Sequence, residues 1–261
     1  EMASDKNVAI VTGSARGIGE STAVMLAERA FNITVNYASS ADEAKDTVAQ
    51  CEAKGAEVLL VQGDIASDVD CRRIVDETTA KWGRLDVLIN NAGTTTYVNH
   101  MELEKLTPEV WERTFGVNVF GTFQMVRAAE KPLRASGNGS IVNVGSIAGV
   151  AGIGSSIAYA ASKGALNTMT LSLARVLAPE VRINTICPGF VGTKWQRDGQ
   201  GDGYDEYVKG VEAGTPQQHA CTADDIAESV VQMALGHRYM TGETILVDAG
   251  SHLGFSPLVA R

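Results

Sequence analysis

The 261-residue chain has few of the features that stabilise a protein covalently or place it in a membrane. Its four cysteines are scattered, and no two of them form a C-x-x-C pair, which excludes a zinc knuckle and a disulfide framework. The chain also lacks any run of about 18 apolar residues, and its first residues contain no apolar stretch of the signal-peptide type. We therefore predict a cytoplasmic protein with reduced thiols, neither secreted nor spanning a membrane.

The chain has fewer basic than acidic residues: 22 lysines and arginines and 31 aspartates and glutamates, which give a net charge of −9. A chain this acidic is poorly suited to neutralise phosphates, so nucleic acid is not an expected partner. Hydrophobic residues make up 44% and charged residues 20%, which is typical of a globular protein and excludes a disordered chain. Because a single α/β domain often exceeds about 200 residues, we predict one domain over residues 1–261.

Short, almost continuously apolar runs recur along the chain, at residues 8–12, 32–37, 57–62, 85–90, 140–144, 181–187 and 243–247. Such runs are typical of parallel strands that are covered on both faces. Helix-like segments alternate with them, at residues 17–30, 41–54, 67–81, 108–135, 158–177 and 223–235. This alternation predicts an α/β fold with a seven-stranded, doubly wound parallel sheet, helices on both faces, and ligands bound beyond the carboxyl ends of the strands.

One connection, residues 191–220, is too long for this alternation. It mixes glycines with Trp195, Tyr204 and Tyr207, which either pack the segment onto the domain or face a ligand. We predict that residues 191–220 form an irregular lid over the binding site.

A glycine-rich turn closes the first strand and opens the first helix. Its spacing is G-x-x-x-G-x-G, and free backbone N–H groups at such a helix start attract a pyrophosphate. Taken alone the turn is a weak signal, because any tight glycine turn would explain it. Its place after the first strand of an alternating chain indicates a dinucleotide site with contacts from Gly13, Ser14, Arg16, Gly17, Ile18 and Gly19.

The end of the second strand should decide which dinucleotide binds, because an acidic residue there bonds the ribose 2′-hydroxyl of NAD. The segment from Asn36 to Ser40 contains no carboxylate. Arg16, Ser39 and Ser40 could instead receive a 2′-phosphate, which favours NADP(H) and leaves NAD(H) possible. The alternative is that Arg16 is a solvated cation and that the two serines only cap the following helix.

A tyrosine and a lysine, Tyr159 and Lys163, are four residues apart and therefore project from one face of a helix. A nearby ammonium can lower the tyrosine pKa from about 10 and make the phenol a usable proton shuttle. Ser146 follows the fifth strand, where its hydroxyl can bond a substrate carbonyl oxygen. The alternative for the Tyr-Lys pair is a core tyrosine beside a solvated lysine.

These features occur together with Asn90-Asn91-Ala92-Gly93 after the fourth strand and Pro188-Gly189 after the sixth. In this order and spacing, the chain resembles the short-chain dehydrogenase/reductase family over nearly its whole length. The resemblance implies a Rossmann fold and a catalytic set of Ser146, Tyr159, Lys163 and Asn118. In that set Tyr159 is the general acid in reduction and the base in oxidation, Lys163 also holds the nicotinamide ribose, and Asn118 bends its helix.

The resemblance also implies cofactor contacts outside the glycine turn. Asp64 matches the position that contacts the adenine amine, and Thr193 matches the family's threonine near the nicotinamide carboxamide. The implied set is Asn36, Ser39, Ser40, Asp64, Ile65, Asn91, Ala92, Gly93, Tyr159, Lys163, Pro188, Gly189, Val191 and Thr193.

The expected activity is hydride transfer between NADP(H) and a ketone or secondary alcohol, with Tyr159 as general acid/base and a small-molecule substrate. In general appearance the chain resembles 3-oxoacyl carrier-protein reductases most, although residues 137–139 and 179–180 lack the basic residues that those enzymes tend to carry. An NAD-dependent sugar or polyol dehydrogenase and a non-catalytic dinucleotide-sensing module are alternatives. Lys194 and Arg197 could grip an anionic substrate or face cofactor or water.

Family members of this size commonly form homotetramers, here through residues 108–135, 158–177 and the last strand. No metal is expected, because the histidines form no i,i+4 pair or ligand cluster. We predict that all of them are surface residues: His100, His219, His237 and His252.

Overall fold

The computed structural model describes residues 5–254, so both ends of the predicted domain, residues 1–4 and 255–261, lie outside the described range. Within it a seven-stranded sheet has the order β3-β2-β1-β4-β5-β6-β7. Every neighbouring pair is parallel, which confirms the predicted doubly wound sheet. The strands are β1 (Val8–Val11), β2 (Asn32–Tyr37), β3 (Val58–Gln62), β4 (Val87–Asn90), β5 (Gly139–Val144), β6 (Val181–Pro188) and β7 (Thr244–Val247).

Helices cover both faces of this sheet, and each predicted helical segment is found with ends that differ by two residues or fewer. They are α1 (Gly17–Glu28), α2 (Ala41–Ala53), α3 (Asp68–Trp82), α4 (Pro108–Phe115), α5 (Thr122–Ala135), α6 (Ala148–Ala151), α7 (Ile157–Leu177), α8 (Lys194–Gln200), α9 (Tyr204–Gly214) and α10 (Ala223–Leu235). The segment predicted at residues 108–135 is divided, because the π-helical stretch Gly116–Gly121 separates α4 from α5.

The central strands β1, β4, β5 and β6 are buried along their whole length, as their sequences predicted, whereas the edge strands β3 and β7 are only partly buried. In β1, all four side chains are fully buried. Ala9 and Val11 join the core on one face of the sheet, and Val8 and Ile10 join the core on the other. Each such side chain removed from water contributes on the order of 1.5–3 kcal/mol, so the central strands fix the position of everything at their carboxyl ends.

The segment 191–220 is more regular than predicted. It contains the helices α8 and α9, joined by a 3-10 turn at Gly201–Gly203. Tyr204 and Tyr207 lie one turn apart on α9, and both pack on Phe190 with ring centroids 6.3 and 5.4 Å away. This packing compensates for the low helix propensity of the glycines, which is why the sequence pattern alone missed the helices.

No helix within residues 5–254 combines the length and the apolar character that crossing a membrane requires.

Candidate active site

A cleft of about 1230 Å³ runs along the carboxyl edge of the sheet, where the strand order reverses between β1 and β4. This is the position at which doubly wound sheets bind ligands. Its volume exceeds that of a usual small-molecule pocket, about 300–1,000 Å³, so it has room for a dinucleotide and a second ligand.

The glycine-rich turn at one end of the cleft depends on its glycines. Gly13 and Gly17 have φ values of +60° and +62°, a conformation that side chains disfavour. A Cβ on Gly13 would lie 2.8 Å from the Cα of Ala92, so the turn packs directly on the loop after β4. The Oδ1 atom of Asn36 accepts a hydrogen bond from the Gly13 N–H at 3.2 Å, which ties the turn to the end of β2.

Most residues predicted to contact a cofactor line this cleft. Ser14 and Gly19 do not. The Ser14 hydroxyl donates to the Val11 carbonyl and its N–H to the Asn36 carbonyl, so neither group is available to a ligand. The predicted residues that do line it are Gly13, Arg16, Gly17, Ile18, Asn36, Ser39, Ser40, Asp64, Ile65, Asn91, Ala92, Gly93, Ser146, Tyr159, Lys163, Pro188, Gly189, Val191 and Thr193.

The corner expected to receive a 2′-phosphate contains Arg16, Ser39 and Ser40. Ser40 is the N-cap residue of α2, but its side chain makes no capping hydrogen bond, so capping does not occupy its hydroxyl. Sequence reasoning missed Glu43, whose carboxylate lies 3.8 Å from the Arg16 guanidinium. Both side chains are about half exposed, so this ion pair is weak and can be displaced by a stronger anion.

Asp64, predicted to contact the adenine amine, already has partners for both carboxylate oxygens. One accepts from the Ala66 N–H at 3.0 Å, and the other pairs with Arg113 of α4 at 2.9 Å. Arg113 lines the cleft and was also missed, because nothing in the sequence near residue 113 indicates that α4 approaches the loop after β3.

The predicted catalytic side chains meet at the other end of the cleft. Ser146 and Tyr159 both line this part of the cleft, and the Ser146 side chain is close enough to lower the pKa of the Tyr159 phenol against the rise that burial causes. The Nζ atom of Lys163 lies 5.7 Å from the centroid of the Tyr159 ring and donates to the Val144 carbonyl at 2.8 Å. The hydroxyl of Ser156 caps α7 by accepting from the Tyr159 N–H at 3.1 Å, which fixes where the helix begins.

The ionisation of this pair differs from the sequence prediction. Burial raises the pKa of Tyr159 to about 12, and the nearby Ser146 side chain opposes only part of that rise. Burial also lowers the pKa of Lys163 to about 8. The predicted lowering of the tyrosine pKa is therefore wrong for the protein without ligands, because removing both groups from water disfavours the phenolate and the ammonium alike.

Asn118 lies in the π-helical stretch and does not line the cleft. Its Nδ2 atom donates to the Thr94 carbonyl at 3.0 Å and to the Ser162 hydroxyl at 2.9 Å. Ser162 in turn donates to the carbonyl of Tyr159 at 2.7 Å. This chain connects the loop after β4 to the turn of α7 that carries Tyr159 and Lys163.

The histidine predictions require two corrections. His100 is half-buried and lines the cleft instead of lying on the surface. His219 is exposed, as predicted, but it also lines the cleft and lies with Cys221 and Asp225 in a group whose potential ligand atoms are all within 4.8 Å of one another. The segment before α10 folds back on the first turn of that helix, which brings these residues together although their spacing carries no metal-binding signal.

Comparison with known proteins identifies the family. A family model described as short chain dehydrogenase matches residues 7–202. A protein assigned as ketoacyl reductase 2 of the granaticin polyketide synthase of Streptomyces violaceoruber is 41% identical over 246 residues, covering 94% of this chain and 96% of the relative. A 3-oxoacyl-acyl-carrier-protein reductase of Staphylococcus epidermidis is 31% identical over 247 residues, covering 94% of this chain and 98% of the relative.

A crystal structure assigned as a short-chain dehydrogenase/reductase of Burkholderia xenovorans aligns with a TM-score of 0.90 at 38% identity. The alignment covers 96% of this chain and 100% of the other. The family match spans well over half of the chain. The chain therefore belongs to the short-chain dehydrogenase family and is an oxidoreductase.

Proposed function

We propose that the protein reduces a ketone with NADPH, or oxidises the corresponding secondary alcohol with NADP⁺, using Tyr159 as the general acid and base. The observation that carries this proposal is the grouping of Ser146, Tyr159 and Lys163 in one part of the cleft, with the Lys163 Nζ atom 5.7 Å from the Tyr159 ring centroid. The opposite end carries the glycine turn and Arg16, so one extended ligand can span both.

The residues of the cleft fit a dinucleotide. Gly13 and Gly17 leave the turn without side chains that would block a pyrophosphate, and the start of α1 presents free N–H groups to it. When bound, the nicotinamide supplies or removes the hydride. The residues that would hold this cofactor are Gly13, Arg16, Gly17, Ile18, Asn91, Gly93, Lys163, Pro188, Gly189 and Thr193.

In reduction, Tyr159 donates its hydroxyl proton to the carbonyl oxygen as the carbon receives the hydride. The Ser146 hydroxyl donates to the same oxygen as negative charge develops there, an interaction typically worth a factor of about 10²–10³ in rate. Lys163, charged below its pKa of about 8, stabilises the phenolate that remains. In oxidation the phenolate removes the alcohol proton by the reverse path.

Selectivity for NADP(H) is supported by the corner around Arg16. The end of β2 offers no carboxylate to a ribose hydroxyl, and Ser39 and Ser40 line the cleft with Arg16. A 2′-phosphate carries more charge than a lone glutamate and would compete with Glu43 for the guanidinium.

A 3-oxoacyl thioester is a second candidate substrate, favoured by the names of the relatives from Streptomyces and Staphylococcus. Both names describe reduction of a keto group on an acyl chain, which agrees with the direction proposed here. Against a carrier-linked substrate, Glu180 occupies an expected basic position and is itself paired with Arg134.

We also propose a cytoplasmic homotetramer. The buried, unpaired thiols of the four cysteines agree with a reducing compartment. Phe120, Phe123 and Val176, on the helical segment after β4 and on α7, expose apolar side chains that a second copy could cover.

Replacement of Tyr159 by phenylalanine tests the proposed activity. Tyr159→Phe removes the transferable proton but leaves the ring, so we expect ketone reduction to fall by a factor of about 10²–10⁴. Activity is followed at 340 nm, and NADPH affinity is measured separately by cofactor fluorescence and should remain within about twofold. A variant with wild-type turnover would overturn the assignment of Tyr159.

A further inference from the structure

The space in front of Tyr159 is bounded by an aromatic wall formed by Trp195 and Tyr97. The Trp195 ring meets the Tyr159 ring edge to face, with centroids 6.3 Å apart and planes at 78°. Burial raises the pKa of Tyr97, and the Trp195 side chain opposes part of that rise, so the two side chains lie close together. A ligand that brings its carbonyl to Tyr159 must therefore pass beside these two rings.

The Tyr97 side of this wall is held in place by the neighbouring loop. The hydroxyls of Thr95 and Ser155 are 2.6 Å apart, and the Val98 N–H donates to the Ser155 carbonyl at 2.9 Å. These two bonds tie the loop after β4 to the segment before α7. Tyr97 is thus preorganised, and a ligand loses little binding energy in ordering it.

The wall leaves aromatic surface open instead of burying it. Trp195 is 39% exposed and Tyr97 41% exposed, and both line the cleft. Rings that served only to pack the lid against the rest of the protein would be buried. Uncovered aromatic faces inside a cavity favour a ligand that can stack on them or meet them edge to face.

The two cations that flank Trp195 in the lid, Lys194 and Arg197, each contact a partner side chain, so neither is an unpaired charge at this wall. Lys194 pairs with Asp198 at 2.7 Å. The Arg197 guanidinium lies over the Tyr204 ring, 4.4 Å from its centroid. Because both cations already have partners, the ring surface next to Tyr159 favours contact with a neutral group.

We propose that Trp195 and Tyr97 determine specificity by selecting flat, ring-bearing, uncharged ketones over acyclic ones. This inference rests on the proposed ketone reduction and names the substrate class of the same site. A ring that stacks on these side chains gains an aromatic interaction beyond the area it buries, whereas a flexible chain gains none of it and also loses rotamer freedom.

The test compares 2-tetralone, a fused-ring ketone, with 2-decanone, an acyclic ketone with the same number of carbons, using NADPH. We expect kcat/KM to favour 2-tetralone by about tenfold. Trp195→Ala should remove most of that preference through a higher KM for 2-tetralone, and Trp195→Phe should retain much of it. Tyr239→Ala, an aromatic truncation at a 95% exposed position outside the cleft, should leave the ratio unchanged.

Calorimetric titration of 2-tetralone into the NADPH-loaded protein separates this inference from the proposed function. If Trp195→Ala weakens the binding of 2-tetralone about tenfold, but neither the wild type nor the variant reduces this ketone, the result would support the aromatic wall and overturn the proposed activity. If both ketones are reduced with similar kcat/KM values, or if Trp195→Ala does not change the ratio of these values, the proposed role of the aromatic wall would be overturned and the proposed activity would be unaffected.

Discussion

At the scale of single residues, burial sets the ionisation of the proposed catalytic pair, Tyr159 and Lys163. Tyr159 and Lys163 are adjacent, yet each loses its hydration on folding, which disfavours the charged form of both. The result is a phenol that keeps its proton and an amine that loses its proton more easily than usual. An acid that stays protonated suits reduction better than oxidation at neutral pH.

The pH dependence should reflect both groups. Because the phenol pKa is raised to about 12, the phenolate needed for alcohol oxidation becomes more abundant with every increase in pH below that value. Because the Lys163 pKa is lowered to about 8, its charge is present below pH 8 and lost above it, so reduction should decline there. Profiles of kcat/KM in both directions check this, and a reduction rate that is flat up to pH 10 would contradict it.

Cofactor selectivity should respond in opposite ways to the two members of the Arg16–Glu43 pair. Arg16→Ala removes a charge-assisted phosphate contact and should weaken NADPH binding by about tenfold to a hundredfold, with little effect on NADH. Glu43→Gln frees the guanidinium and should strengthen NADPH binding. Dissociation constants from cofactor fluorescence measure both effects. Equal losses for NADPH and NADH in Arg16→Ala would show that Arg16 does not contact the 2′-phosphate.

At the scale of elements, α7 is held at several points along its length. Ser156 caps its start, and Thr170 near its middle accepts a hydrogen bond from buried Asn143 of β5 at 3.0 Å. The short helix α6 packs so closely that a Cβ on Gly149 would lie 2.5 Å from the backbone carbon of Lys163. The catalytic residues are therefore positioned by backbone contacts as well as by side chains.

Replacement of Gly149 by alanine should disturb this packing. The added methyl group meets backbone that cannot rotate away, so Gly149→Ala should destabilise the fold by about 1–3 kcal/mol and lower kcat by displacing Lys163. Gly210→Ala is the control, since its methyl group meets nothing within 4 Å inside α9 and should stabilise by up to about 1 kcal/mol. Urea unfolding measures both, and an unchanged midpoint for Gly149→Ala would contradict the prediction.

At the scale of the whole molecule, the sheet positions both ends of the cleft and leaves apolar helix surface outside. Phe120 is 59% exposed and Val176 63% exposed, although the sheet core itself is fully covered. Phe120 and Phe123, one helical turn apart, both expose their rings, and this shared apolar surface is the physical basis for the proposed assembly.

Sedimentation should therefore give a mass four times the 27.5 kDa of the chain. Phe120→Glu should shift it to smaller species by placing a charge in the interface, with helical content unchanged by circular dichroism. Val69→Glu, at an exposed position on α3, should have no such effect. A wild-type protein that sediments as a monomer would overturn the tetramer.

The succession of strands and helices along the chain, and the shared helix of Tyr159 and Lys163, could be predicted from the sequence alone, because apolar periodicity and i,i+4 spacing are local properties. It could not predict that α9 would form around Phe190, that Arg113 would reach Asp64, or that Glu43 would lie beside Arg16. Those proximities join distant parts of the chain, and only packing creates them. The raised pKa of Tyr159 has the same origin, since desolvation depends on what surrounds the phenol in three dimensions.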